Sequence, residues 1–152
     1  MFKIGLSLAA LVLSSLLSPS VLAEGDHDGG EVELIEVMGA AQTRSHKLHL
    51  SLRAENQALA DFYAHELEEA IHDMMRVESY DGFSIAHLAE SMLLPAFEKL
   101  EHAVKAGDLK AASKRFDALI GSCNACHAAT DHDAIVIQKT DQNPFFQRFE
   151  PR

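Results

Sequence analysis

Residues 123 to 127 read Cys123-Asn124-Ala125-Cys126-His127, and they hold the only 2 cysteines of the 152-residue chain. C-x-x-C-H is the attachment pattern for a c-type haem. Two thiols one helical turn apart form thioethers to the two vinyl groups, and the adjacent imidazole supplies the proximal iron ligand. Other chemistries use paired cysteines. A thioredoxin-like redox pair wants its C-x-x-C at the start of a helix that follows a strand, whereas this one falls near the end of a helical pattern. A zinc site wants further thiols or a second close histidine motif. A disulfide between residues this close would staple almost nothing. The expected cofactor is therefore one covalent haem c on Cys123 and Cys126, with His127 on the iron.

Thioether attachment takes place outside the cytoplasm, and the N-terminus fits that setting. Lys3 gives a short positive start, residues 4–17 are apolar or small, and Val21-Leu22-Ala23 places small residues where a leader is cleaved. Residues 1–23 read as a signal peptide, shorter in its apolar run than the ~20 residues a membrane span needs, so the expected location is the periplasm. The whole chain carries 13 basic and 23 acidic side chains, for a net charge of -10. That balance argues against nucleic acid or an anionic membrane as partner and favours a basic protein.

The elements that must position the motif are helical. Residues 31–53 place Leu34, Met38, Ala41, Ser45, Leu48 and Leu52 at alternating spacings of four and three. Residues 56–77 offer Leu59, Phe62, Leu67, Ile71 and Met74 on one face. Residues 84–106 offer Ile85, Leu88, Met92, Leu93, Phe97, Leu100 and Val104, with Pro95 marking a kink or an irregular turn. Gly107 suits a C-cap and Asp108 an N-cap, so the fourth helix follows at once, with a stripe through Leu109, Ala112, Phe116, Leu119, Ile120 and Cys123 that continues to His127. The expected architecture is all-α: an up-down-up-down four-helix bundle over residues 24–130, followed by an irregular C-terminal extension over residues 131–152.

A four-helix bundle whose last helix carries C-x-x-C-H close to its end resembles the class II c-type cytochromes, the cytochrome c prime family, over residues 31–130. The resemblance implies covalent haem on Cys123 and Cys126 with His127 as proximal ligand. Two features depart from the family pattern. Ala128-Ala129 stands where a basic residue usually follows the motif, and the chain runs on to Arg152, as in a divergent bacterial branch.

Counting helical rise suggests a sixth ligand. His127 lies 19 residues beyond Asp108, about 28 Å along the helix at ~1.5 Å per residue. An equal rise back from Ala54 reaches Met38, which is also on the apolar stripe. His46 is the alternative, but lies ~12 Å further along the helix. Gly39, beside Met38, costs ~1 kcal/mol inside a helix yet leaves room for a porphyrin against the backbone. The same counting brings Ile71, Met74, Met75, Ile85, Leu88 and Met92 to that end, where flexible thioethers would pack against a flat macrocycle. Arg44 and Arg76 are candidate partners for its carboxylates.

The tail mixes Ile135-Val136-Ile137 with Phe145, Phe146 and Phe149, which is too apolar to float free. It either covers the haem edge or makes the contact of a homodimer. Two function classes follow. A ligated Met38 favours a carrier that passes single electrons to a basic periplasmic partner, and an unligated Met38 favours a module that binds a small gas such as nitric oxide or carbon monoxide. No pair of acidic residues suggests catalysis, and an enzyme is not expected.

Overall fold

A computed structural model describes residues 29–152; the expected signal peptide lies outside them. Helix α1 spans Gly29–Arg53 and α2 spans Gln57–Arg76. Helix α3, Ile85–Leu88, runs through a π-helical turn, Ala89–Leu93, into α4, Leu94–Lys105, so that the three make one rod. Helix α5 spans Leu109–Ala129. Helix α1 packs on α2, α2 on α4, α4 on α5 and α5 on α1, which closes an up-down-up-down bundle of four rods. No strand forms among the described residues beyond a single bridge between Tyr80 and Phe83. None of their helices is long and apolar enough to cross a membrane.

The turns are as short as the sequence suggests, and two share one design. At the end of α1, Asn56 N–H reaches back to Ser51 O at 3.0 Å and Glu55 N–H to Leu52 O at 3.2 Å, and the Asn56 side chain then caps α2 by accepting from Leu59 N–H at 3.2 Å. At the end of α4, Asp108 N–H reaches Ala103 O at 3.0 Å and Gly107 N–H reaches Val104 O at 2.9 Å, and Asp108 caps α5 through Ala111 N–H at 2.8 Å. Each Asn or Asp thus finishes one helix and starts the next. The left-handed position is glycine in one turn, Gly107 at φ 73, and Glu55 at φ 51 in the other.

The core runs through Leu48, Ile71, Phe97, Leu100, Val104, Phe116 and Leu119, all essentially without exposure. Two expected stripes are shifted. Phe62 is 51% exposed; Leu67, Ile71 and Met74 are buried as expected, and Ala60, Tyr63, Ala64 and Ala70 complete the inner face of α2. The alanines let the neighbouring rods approach closely, and Tyr63 turns inward to meet the tail. In the third rod Leu93 is buried as expected, but Ala89 joins it while Leu88 and Met92 are only half-buried. The cause is the π turn, where Leu94 N–H bonds Ala89 O five residues back. The wider turn changes which side chains face inward, and it sits just ahead of Pro95, whose ring cannot supply the next N–H.

The tail lies along the groove between α1 and α5 and returns toward the α1–α2 turn. Phe149 is buried in the core and its carbonyl accepts from Asn56 Nδ2 at 2.8 Å. Tyr63 Oη donates to Gln147 Oε1 at 2.5 Å. Lys47 Nζ lies 4.9 Å from the centre of the Phe145 ring and 5.4 Å from that of Tyr63.

Candidate functional site

An apolar cavity of about 350 Å³ opens at the end of the bundle where α1, the α3 rod and α5 converge, a size in the range of small-molecule sites. Helix α1 supplies Ile35, Met38, Gly39, Ala41, Gln42 and Ser45. Met74 comes from α2, Ile85, Ala89 and Leu93 from the third rod, and Cys123, Cys126 and His127 from α5. Ile135 and Ile137 of the tail close one side. The residues of C-x-x-C-H stand at i, i+3 and i+4, so both thiols and the imidazole share one face of α5.

The chemistry of each group is set by its surroundings. Nδ1 of His127 is 2.8 Å from Ile135 O. A carbonyl only accepts, so Nδ1 carries the proton and Nε2 keeps a lone pair free to bind a metal. Both thiols are free. Burial pushes Cys123 up to about 11, with the neighbouring Cys126 adding to the shift, and burial also raises Cys126. Both lie at the C-terminal end of α5, where the helix dipole opposes a thiolate. A thioredoxin-type nucleophile needs the reverse, a thiol depressed by a helix N-terminus or a cation. Among the described residues no three His, Cys, Asp or Glu side chains converge to hold a bare metal ion.

The structure therefore brings Met38, Cys123, Cys126 and His127 to the lining of one cavity. It does not bring His46 there. The His46 Nε2 lies 3.2 Å from Thr140 O and its ring centre 5.3 Å from that of Phe145, so it is spent on holding the tail. Arg44 and Arg76 do not line the cavity either, for each is paired with a carboxylate: Arg44 with Glu66 at 3.6 Å and Arg76 with Asp73 at 3.0 Å. Of the methionines gathered at this end by helical counting, Met38 and Met74 line the cavity, while Met75 packs against the core beside it. A Cβ built on Gly39 would meet nothing within 4 Å, so the space beside Met38 is open.

Sequence reasoning left the tail between two roles, covering this end of the bundle or making a subunit contact. Ile135 and Ile137 line the cavity, Ile135 at 50% exposure on its rim, and Val136 between them is 69% exposed; that two-residue period was the available signal. Sequence reasoning missed Ala89, brought inward at the π turn, and Gln42, which stands beside Ser45 in the α1 wall.

These residues fit a haem by the chemistry of the donor set: two uncommitted thiols, one imidazole with a free Nε2, a thioether in the same lining and apolar walls. The chain matches no family model, no curated protein and no solved structure.

Proposed function

We propose that the protein is an exported c-type cytochrome that carries one covalent haem and transfers single electrons in the periplasm. The observation that carries this is the placement of Cys123, Cys126, His127 and Met38 around one apolar cavity. Cys123 and Cys126 would hold the group as thioethers, His127 would ligate it through Nε2, and Met38 is the candidate for the opposite side. The bound group supplies a one-electron couple. The chain's own residues would exclude water through the buried Ile85 and Leu93, and orient the imidazole through the Ile135 carbonyl. The acidic balance of the chain would steer a partner with a basic face.

A second reading is supported by the packing of Met38. Its side chain lies against the small cluster of Leu34, Val77 and Ile85 as well as against the main core. If it stays there, the side facing His127 is open and apolar, which suits a small gas such as carbon monoxide or nitric oxide.

Optical spectra of the purified protein, oxidised and reduced, with and without carbon monoxide, test both. A low-spin spectrum indifferent to carbon monoxide supports the carrier. A high-spin spectrum that changes with carbon monoxide supports the gas module, and the absence of any haem band rejects both.

A further inference from the structure

The first extended stretch of the tail is tied to a single turn of α5. Nδ1 of His127 donates to Ile135 O at 2.8 Å. Nδ2 of Asn124 donates to Ile137 O at 2.9 Å, and Ile137 N–H donates to Asn124 Oδ1 at 2.7 Å. The Asn124 amide thus satisfies both backbone groups of Ile137, as a neighbouring strand would. The turn that sends the chain back is fixed by Asp131 in the left-handed region at φ 60 and by His132 N–H bonding His127 O at 2.8 Å. His127 is therefore held by the tail through its backbone and through its ring.

Extended backbone alternates, so residues 135 and 137 aim their polar groups to one side and their side chains to one side. That alternation lets a single register do two things. It sets the Ile135 carbonyl on the imidazole, and it lays Ile137 and the half-exposed Ile135 along the rim of the cavity with Val136 turned away. A slip of one residue would undo both. Asn124, one of the two residues between the cysteines, is the group that fixes the register.

We propose that Asn124 and the tail form a positioning device for His127. Asn124 sets the tail's register, the Ile135 carbonyl locks the imidazole as the Nδ1–H tautomer, and Nε2 is left as a lone pair before any ligand arrives. This rests on the reading of the cavity as a haem site. There the device has a direction: an imidazole whose Nδ1–H is held by a carbonyl is the more basic ligand and favours the more positive iron, so the clamp lowers the reduction potential.

The test is ¹⁵N NMR of the full-length mature chain without haem, in wild type, Asn124→Ala and Asn124→Asp, with potentiometry of the haem-loaded forms. Wild type shows His127 as the Nδ1–H tautomer. Loss of two hydrogen bonds in Asn124→Ala makes Ile137 N–H exchange roughly tenfold faster and shifts His127 toward Nε2–H. Asn124→Asp, which keeps the acceptor and loses the donor, falls between. The potential of Asn124→Ala rises while covalent haem is retained. An unchanged tautomer in Asn124→Ala, or an unchanged potential, overturns the proposal. Failure of the haem reading shows separately as an apoprotein mass in wild type, and the tautomer measurement on the haem-free chain then decides the clamp by itself.

Discussion

His49 Nε2 stands 2.9 Å from Asp141 Oδ1, joining two residues 92 positions apart. Arg53 Nη2 reaches the other oxygen of the same carboxylate at 3.3 Å, and the His49 ring stacks on Phe116 with centres 5.5 Å apart. A buried histidine of α1 is thus the point to which the middle of the tail is fastened.

The fastening carries a pH dependence. The hydrogen bond from His49, with Arg53 adding, holds the Asp141 carboxyl below the ordinary carboxylate range. A depressed acid stabilises the docked tail fully above its unfolded value of about 4, and that contribution is lost as pH falls through the lower folded value. The protection of the amides of residues 138–143, their exchange measured against the free-peptide rate at each pH, should therefore be constant from pH 7 to about 5 and fall below about 4. In Asp141→Asn the same amides should already exchange faster at pH 7, with no acid step.

Two tail phenylalanines separate packing from mere hydrophobicity. Phe149 is 5% exposed, with its ring centre 6.2 Å from that of Tyr63, whereas Phe146 is fully exposed. Phe149→Ala should cost about 3 kcal/mol in denaturant unfolding, and Phe146→Ala less than about 0.5 kcal/mol. Equal effects would mean that the tail is not docked as described.

Much of this fold is legible in the residues themselves. The spacing of Leu34, Ala41, Leu48 and Leu52 and the Gly107-Asp108 turn are local signals, and local rules read them correctly. The misplacements have non-local causes. Phe62 and Tyr63 are adjacent, and which of them turns inward is decided by Phe149 and Gln147 some 85 residues later, which no helical period contains. Leu88 and Met92 turn partly outward and Ala89 inward at the irregular turn ahead of Pro95, whose exact bonding periodicity cannot specify. At the cavity, Cys123, Cys126 and His127 announce themselves by spacing, and Met38 follows from equal rise along antiparallel helices. The Ile135 carbonyl is a backbone atom, invisible to any motif.

Gly39 should show opposite effects with and without haem. Nothing lies within 4 Å of a Cβ built there, and replacing glycine by alanine inside a helix gains roughly 0.5–1 kcal/mol. Gly39→Ala should accordingly stabilise the haem-free chain in denaturant unfolding, and Gly39→Leu, which projects into the cavity, should perturb the optical spectrum or lower haem incorporation. A destabilised haem-free Gly39→Ala would mean that the space is filled.

Met38 decides between the two functional readings. For the carrier, the ferric protein shows the weak thioether-to-iron band at the red end of the spectrum, and Met38→Ala abolishes it and gives a high-spin iron that binds carbon monoxide when reduced. A band that survives the substitution excludes Met38 as ligand. With His46 committed to Thr140, a persistently low-spin mutant would also require the tail to move.

Mass spectrometry of the denatured mature protein, expressed together with haem-maturation machinery, addresses covalent attachment most directly. The expected mass is that of the polypeptide plus one haem, lost when Cys123 and Cys126 are both changed to alanine. A wild-type mass equal to the polypeptide alone would contradict the haem reading.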